Sequence, residues 1–313
     1  MTYLLLLLAL AGIIAGANFL VGGSVEIAKR FKVSDFVIGA AIIGIGTSMP
    51  ELIVSTLGAF KGNSDIAIGN VIGSNIFNIL GILGATALFF PIRVTKANLK
   101  FDIPLCLGIS FLTTLIALNF FDGSAPRLDR WDGLILLVIF AIFIYHSFVP
   151  KGTKQEASTK EEESVKAPLW LSIIKVIGGL GVLIIGCDLF VEEAVEIARS
   201  WGVNDAVISV TLIACGTSLP EFAASITSAL KKKTQMALGN IIGSNIFNLT
   251  LILGLSSQIT PLVSPDINLV DYLVMTGAVV MVFIAGLKGK IGHISGTLML
   301  LSFIAYNIYL MNV

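Results

Sequence analysis

The sequence predicts an all-α integral membrane protein whose ten transmembrane helices form two inverted five-helix repeats. Three observations support this fold class: a very apolar composition, ten apolar runs of spanning length, and a first half that recurs in the second. Of the 313 residues, 56% are hydrophobic and only 13% are charged, and the mean hydropathy is +0.94. A soluble domain carries about 25% charged residues. Lipid is therefore the expected solvent for most of the chain.

Ten apolar runs of about 20 residues, the length that crosses a hydrocarbon core, divide the chain. The first run lacks a basic n-region and continues past Ala17, so we expect a retained span and not a cleaved signal peptide. One sizeable polar stretch, 150–168, contains four lysines and four glutamates and predicts a flexible linker. The apolar runs cover roughly residues 2–27, 36–60, 65–90, 102–121, 131–149, 169–198, 205–230, 236–259, 267–287 and 291–311.

The second half of the chain repeats the first at a constant offset of 170 residues. The stretch "GNVIGSNIFN" at 69–78 returns as "GNIIGSNIFN" at 239–248. The correspondence runs without a gap from about Gly16 to Gly84. Because each copy contains an odd number of predicted spans, the second copy must enter the membrane from the opposite side.

Basic residues indicate the orientation of these two copies. With the N-terminus outside, fifteen Lys and Arg fall in inner connections and four in outer ones, while Lys175 lies just inside the sixth span. The positive-inside rule therefore predicts both termini outside and the linker inside. The predicted domains are a first five-helix repeat at 1–149, a cytoplasmic linker at 150–168 and a second, inverted repeat at 169–313.

Charge and cysteine content narrow the possible functions. Lys+Arg and Asp+Glu balance at 20 each, which gives no indication of a nucleic-acid partner. Cys106, Cys187 and Cys215 lie in separate apolar segments without metal-ligand spacing, so we interpret them as packing residues. We expect no enzyme activity, no cofactor and no obligatory protein partner; the lipid bilayer is the expected environment.

Two apolar runs are interrupted in the same way. "GTSMPELIVS" at 46–55 and "GTSLPEFAAS" at 216–225 each place a proline and a glutamate inside a span. Inverted repeats with interrupted spans are typical of secondary transporters, whose binding site lies at mid-membrane between the halves. The sequence therefore favours a transporter, with a cation channel or a membrane enzyme as the alternatives.

Glu51 and Glu221 lie about 15 residues into their runs, where a buried carboxylate needs a partner. No Lys, Arg or His occurs in the central parts of the second, third, seventh or eighth spans. A cation taken from solution is therefore the expected partner. A protonated carboxyl pair is the alternative.

The surrounding residue types suit a hard cation. Pro50 and Pro220 lack an N–H, so the carbonyls of Gly46 and Gly216 should lose their helical donors. Four i,i+4 pairs recur at matched positions, and each should share one helix face. Oxygen ligands of this kind favour Ca²⁺, Na⁺ or Mg²⁺ over zinc or copper. The pairs are Thr47 with Glu51, Thr217 with Glu221, Ser74 with Asn78, and Ser244 with Asn248, and Ser48, Ser218 and the Gly44 and Ala214 backbone add further oxygens.

The polar residues and the glycines near them can also have purely structural roles. Any single Ser or Thr hydroxyl can instead bond back to its own helix. Small-xxx-small patterns flank the polar pairs and should let the third and eighth spans approach the broken helices closely. These glycines are Gly69, Gly73, Gly239 and Gly243.

The motifs "GTSMPE" with "GNVIGSNIFN", and "GTSLPE" with "GNIIGSNIFN", resemble the two α-repeats of the sodium/calcium exchanger family of cation/Ca²⁺ antiporters. The resemblance covers nearly the whole chain. It implies a ten-helix fold in which the second, third, seventh and eighth spans form a core and the first and sixth spans form a sliding pair. It further implies exchange of Ca²⁺ for several Na⁺ by alternating access. It also implies a multi-pass protein of a prokaryotic plasma (inner) membrane, without the large regulatory domain of animal exchangers.

Carried over residue by residue, the resemblance implies that Ca²⁺ is held by Glu51, Glu221, Thr47 and Thr217. It implies that Na⁺ uses the same glutamates with Ser48, Ser218, Ser74, Ser244 and the carbonyls of Gly44 and Ala214, while Asn78 and Asn248 complete the middle of the site.

Branches of the family differ at informative positions. Potassium-dependent exchangers typically carry aspartate where this chain has Asn248, so exchange should not require K⁺. Proton-coupled calcium exchangers typically carry GN-x-x-E where this chain has GTS-x-P-E. Ca²⁺/H⁺ exchange is therefore the alternative function, behind Na⁺/Ca²⁺ exchange.

Overall fold

The computed structural model describes residues 1–118, 127–148, 168–202, 214–263 and 267–311. Of the predicted linker, only Pro168 belongs to this part of the chain. Residues 205–213, with which the seventh predicted span begins, also lie outside it.

Within these ranges the chain is built from helices, several of which include a π-helical stretch. Among the described residues, eight helices are long and apolar enough to cross a membrane, and the bent pair α2–α3 gives a ninth such span. The seventh predicted span is described only as α8 and α9, so the number ten remains a prediction. The helices are α1 (Thr2–Phe31), α2 (Asp35–Thr47), α3 (Met49–Phe60), α4 (Ser64–Phe89), α5 (Asn98–Ala117), α6 (Arg130–Phe148), α7 (Leu169–Ser200), α8 (Ala214–Gly216), α9 (Leu219–Leu230), α10 (Thr234–Ile259), α11 (Leu269–Gly286) and α12 (His293–Leu310).

Short polar residues mark several helix starts. The Ser34 side chain accepts from Val37 N at 3.3 Å and begins α2. Asn63 caps α4, and Asn268 forms a capping box with Asp271 at the start of α11. These caps satisfy backbone N–H groups that have no partner inside the helix. The span boundaries are therefore encoded locally.

Helices α4 and α10 form the buried centre of the fold. In the most apolar 18-residue stretch of each helix, the buried share is 72% for α4 and 94% for α10. The same share is 17% for α6 and 11% for α12. Because α6 and α12 are apolar yet exposed, their outer faces are suited to lipid. The repeat positions that carry polar residues thus lie on the two most protected spans.

The first and sixth predicted spans, α1 and α7, pack closely along each other. A Cβ on Gly16 would lie 2.5 Å from Leu183 N, and one on Gly179 would lie 2.5 Å from Leu20 N. Only glycine allows backbones to approach so closely. The pairing of these two spans is therefore observed.

One feature departs from the all-α prediction. Two-residue strands β1 (Ile92–Arg93) and β2 (Lys290–Ile291) pair antiparallel, and Leu128 forms an isolated bridge with Leu262. The apolar-run analysis missed these pairings because they lie in connections between spans. Each joins two connections that the charge distribution places on the same side of the membrane, which fits the predicted relative topology.

Candidate functional site

The two interrupted spans each break at a serine. Helix α2 ends at Thr47 and α3 begins at Met49, with a bend of 47° between them. Ser48 lies at the break, and Pro50 occupies the first turn of α3, where a missing N–H costs no helical bond. The second copy repeats this geometry: Ser218 precedes α9, and Pro220 lies in its first turn. Each proline therefore starts a new helix.

Glu51 and Glu221 consequently lie in the first turns of α3 and α9. Both are completely buried. A helix N-terminus favours negative charge, so the backbone of each first turn helps to stabilise the carboxylate that it carries. The break thus places each carboxylate where a carboxylate is best tolerated.

Each repeat donates a hydrogen bond to the carboxylate of the other. Ser218 Oγ donates to Glu51 Oε1 at 2.9 Å, and Ser48 Oγ donates to Glu221 Oε1 at 2.7 Å. The second oxygen of each carboxylate, Oε2, is buried with no hydrogen-bond partner in the described part of the chain. The two carboxylates thus belong to one site shared between the repeats.

The i,i+4 spacing predicted that Thr47 and Glu51 share one helix face. They do not lie on one continuous helix, because the break at Ser48 places Thr47 on α2 and Glu51 on α3. Its hydroxyl lies 3.0 Å from the carbonyl of Ile43 and 3.3 Å from Asn240 Oδ1. The back-bonding alternative is therefore observed at Thr47. Thr217 lies in the second break, between α8 and α9.

The polar residues of α4 and α10 face one another across the repeats. Asn248 Nδ2 donates to Ser74 Oγ at 3.0 Å, and Asn78 Nδ2 donates to Asn245 Oδ1 at 3.1 Å. Asn78 and Asn248 lie in matched π-helical stretches, Phe77–Leu83 and Asn248–Ile252. Such stretches are frequent at functional sites. Their Oδ1 atoms are buried and have no hydrogen-bond partner among the described residues.

Ser244 of the second repeat also contacts Gly44 of the first repeat. Ser244 Oγ lies 3.2 Å from the carbonyl of Gly44 and 3.5 Å from Glu221 Oε1. Ala214, the counterpart of Gly44, is the first residue of α8. Ser74 also donates to the Val71 carbonyl of its own helix at 3.1 Å, which is the back-bonding expected for a helical serine.

The glycine prediction is confirmed for the second repeat. A Cβ on Gly239 would lie 2.1 Å from the carbonyl oxygen of Phe36, and one on Gly243 would lie 2.4 Å from Ala40 Cα. These contacts bring α10 against α2. Gly73 has no such neighbour within 4 Å; the residues that repeat symmetry would place against it, around 210, lie outside the described ranges.

The arrangement presents acceptor oxygens that lack hydrogen donors. Within the described ranges, four buried oxygens from the two glutamates and from Asn78 and Asn248 have no hydrogen-bond partner. No group of three or more His, Cys, Asp or Glu suited to a metal occurs in those ranges. Carboxylate, amide and hydroxyl oxygens suit a hard cation such as Ca²⁺ or Na⁺. The chemistry of these oxygens therefore matches that of a hard-cation site.

Sequence reasoning missed a second layer of polar side chains, which form hydrogen bonds with the site residues or with one another. Each member has a counterpart 170 residues away inside the quoted repeats, and that recurrence was the available signal. The side chains are Ser55, Asn70, Asn75, Ser225, Asn240 and Asn245.

Comparison with known proteins gives a consistent result. The family model described as sodium/calcium exchanger protein matches residues 1–149 and 171–312. The chain is 35% identical to the putative antiporter CaxA of Alkalimonas amylolytica over 96% of this chain and 95% of that protein. It is 29% identical to the sodium/calcium exchanger MaX1 of Methanosarcina acetivorans over 98% of each. A solved structure of the sodium–calcium exchanger NCX_Mj superposes with a TM-score of 0.85 at 32% identity, over 99% of this chain and 98% of that one.

Proposed function

The chain belongs to the sodium/calcium exchanger family, and we propose that it exchanges one Ca²⁺ for several Na⁺ by alternating access, electrogenically and without K⁺. The observation that carries this proposal is the shared, fully buried pair Glu51 and Glu221, each with one oxygen left without a hydrogen donor in the described chain. Leaving buried polar groups unpaired is costly. A bound cation supplies the missing partner.

The proposed Ca²⁺ ligands are the two glutamates with Thr47 and Thr217. Na⁺ ions use the same glutamates together with hydroxyls and carbonyls of both repeats, and the two central asparagines complete the site. The crossed serine–glutamate bonds support a shared site, because the ligands of each ion come from both halves. The Na⁺ ligands are Ser48, Ser218, Ser74, Ser244, the carbonyls of Gly44 and Ala214, and the amides of Asn78 and Asn248.

Sharing these ligands is the proposed cause of exchange. The two carboxylates supply a charge of −2, which one Ca²⁺ neutralises and which Na⁺ neutralises only when several ions enter. Because the ligands overlap, both loads cannot bind fully at once. An empty site would carry its charge uncompensated through an apolar barrier, which is costly. Only a loaded site should therefore switch between opening to the outside and opening to the inside of the cell. If more than two Na⁺ exchange for each Ca²⁺, every transport cycle moves net charge across the membrane.

We further propose that both termini face outward and residues 150–168 face the cytoplasm of a prokaryotic cell. The basic residues of the inner connections support this orientation. The pairing of Ile92–Arg93 with Lys290–Ile291 supports the assignment of those two connections to one side.

Ion replacement in proteoliposomes tests the proposed function. We expect Ca²⁺ uptake only when Na⁺ is present on the opposite side, and we expect replacement of K⁺ by choline to leave the rate unchanged. Uptake driven by a proton gradient without Na⁺ would support the Ca²⁺/H⁺ alternative. Ca²⁺ leakage without any counter-ion would indicate a channel.

A further inference from the structure

An asparagine outside the proposed set of ion ligands holds each glutamate-bearing helix. Asn70 on α4 donates through Nδ2 to the backbone carbonyl of Glu51 at 3.2 Å and to Ser55 Oγ at 2.9 Å. Because Glu51 lies in the first turn of α3, these two bonds anchor that turn to the neighbouring span. The position of the carboxylate therefore depends on a residue that does not itself contact it in the described bonds.

The same pair of bonds recurs in the second repeat. Asn240 on α10 donates through Nδ2 to the backbone carbonyl of Glu221 at 3.1 Å and to Ser225 Oγ at 2.8 Å. Asn240 and Ser225 are fully buried, so removal of the amide would leave a buried hydroxyl without this bond. An arrangement that occurs twice at equivalent positions is a property of the repeat.

The two asparagines differ in one contact. The hydroxyl of Thr47 lies 3.3 Å from Asn240 Oδ1, whereas no described hydrogen bond joins Thr217 to Asn70. A hydroxyl has a single proton. The carbonyl of Ile43, 3.0 Å away, shares that proton with Asn240, and with either acceptor the lone pairs of the hydroxyl remain available to a cation. Asn240 therefore contacts the first repeat through its oxygen and the second repeat through its nitrogen.

We propose that Asn240 is a positioning residue that couples Thr47 of one repeat to Glu221 of the other, while Asn70 anchors Glu51 alone. This inference rests on the proposed function, because Thr47 and Glu221 matter only as ligands of the transported ion. It assigns unequal roles to two residues that the sequence repeat makes equivalent. Asn240 sets the geometry of two ligands, and Asn70 sets that of one.

The test measures Ca²⁺ affinity without transport, from the rise in melting temperature of the detergent-purified full chain with increasing Ca²⁺. We expect Asn240→Ala to weaken affinity about tenfold, the upper range for a lost hydrogen bond. The matched control Asn70→Ala should weaken it less than about threefold. Equal effects of the two substitutions, or no effect of Asn240→Ala, would overturn the proposal.

A double-mutant cycle with Thr47→Ala separates positioning from a general loss of packing. The loss of Ca²⁺ affinity in the Asn240→Ala, Thr47→Ala double variant should differ by at least about fivefold from the loss expected if the two single effects were independent. The effects of Asn70→Ala and Thr47→Ala on affinity should be independent. A purely structural role of Asn240 would lower stability yet leave the affinity effects additive. That result would contradict the coupling.

A milder substitution decides the question if Asn240→Ala does not yield folded protein. Ser225→Ala keeps Asn240 but removes one partner of its amide, and it should weaken Ca²⁺ binding only when Thr47 is present. Equal weakening in the Thr47→Ala background would overturn the proposal. Wild-type flux keeps the two hypotheses apart: lack of Na⁺/Ca²⁺ exchange would refute the proposed function, whereas normal exchange with an additive cycle would refute only the coupling.

Discussion

Glu51→Gln and Glu221→Gln are each expected to lower Na⁺-driven Ca²⁺ uptake about 100-fold or more, because each removes half of the site's charge. Breaking one member of a buried charged set costs about 3 kcal/mol, which corresponds to that factor. Glutamine keeps the size of the side chain and an oxygen that accepts from the crossed serine. Uptake in proteoliposomes containing equal amounts of folded protein is the measurement.

Glu193→Gln is the matched control for these substitutions. Glu193 is a buried carboxylate on α7 that belongs to no proposed ion site, and only 6% of its surface is exposed. We expect uptake per folded protein by this variant to stay within about threefold of wild type, because the substitution leaves every proposed ion ligand in place. Near-native uptake by either Glu51→Gln or Glu221→Gln would remove the basis of the two-carboxylate site.

Asn248→Asp is expected to make exchange dependent on K⁺ and more sensitive to pH. Asn248 is fully buried, and its Oδ1 has no hydrogen-bond partner among the described residues. An aspartate there adds a third carboxylate to a poorly solvated site. The new group must either bind a proton or recruit another cation. We expect uptake by the variant to fall about tenfold when choline replaces K⁺, a loss of about 1.4 kcal/mol.

Asn63→Asp provides the control for this substitution. Asn63 caps α4 by accepting from Ile66 N, and aspartate serves this position equally well. That variant and the wild type should both be indifferent to K⁺. A wild-type protein that stops transporting without K⁺ would contradict the proposed potassium independence, whatever the behaviour of Asn248→Asp.

Much of this architecture could be predicted because its signals are local. The apolar runs predict the spans. The motif around Pro50 predicts the break, because proline has no N–H and is tolerated in a helix only in the first turn. The burial of Glu51 and Glu221 follows from their central position in apolar runs. The 170-residue offset then identifies each partner position.

Contacts between the repeats could not be read from the sequence. The i,i+4 rule places Thr47 beside Glu51 only if the helix is continuous, and the break at Ser48 removes that condition. Which serine meets which glutamate depends on how two distant helices pack. The bond from Ser48 to Glu221 spans 173 residues, and no periodicity within one span predicts it.

The roles of Asn70 and Asn240 were hidden for a related reason. Both lie in the quoted repeat motif, but their side chains bond to backbone carbonyls and serines of another span. Sequence gives the polar residue and its recurrence, whereas the partner depends on tertiary packing. The short pairing of β1 with β2 was missed because two-residue strands carry no usable alternation pattern.

Equilibrium binding of radioactive Ca²⁺ to the detergent-purified chain, titrated with Na⁺, tests the shared site most directly. The proposal requires one Ca²⁺ per chain and its complete displacement by Na⁺, with a Hill coefficient above 1 because several sodium ions must enter together. It also requires that K⁺ at the same ionic strength leaves Ca²⁺ bound. If Ca²⁺ stayed bound at saturating Na⁺, the two ions would occupy separate sites and the proposed mechanism of exchange would be wrong.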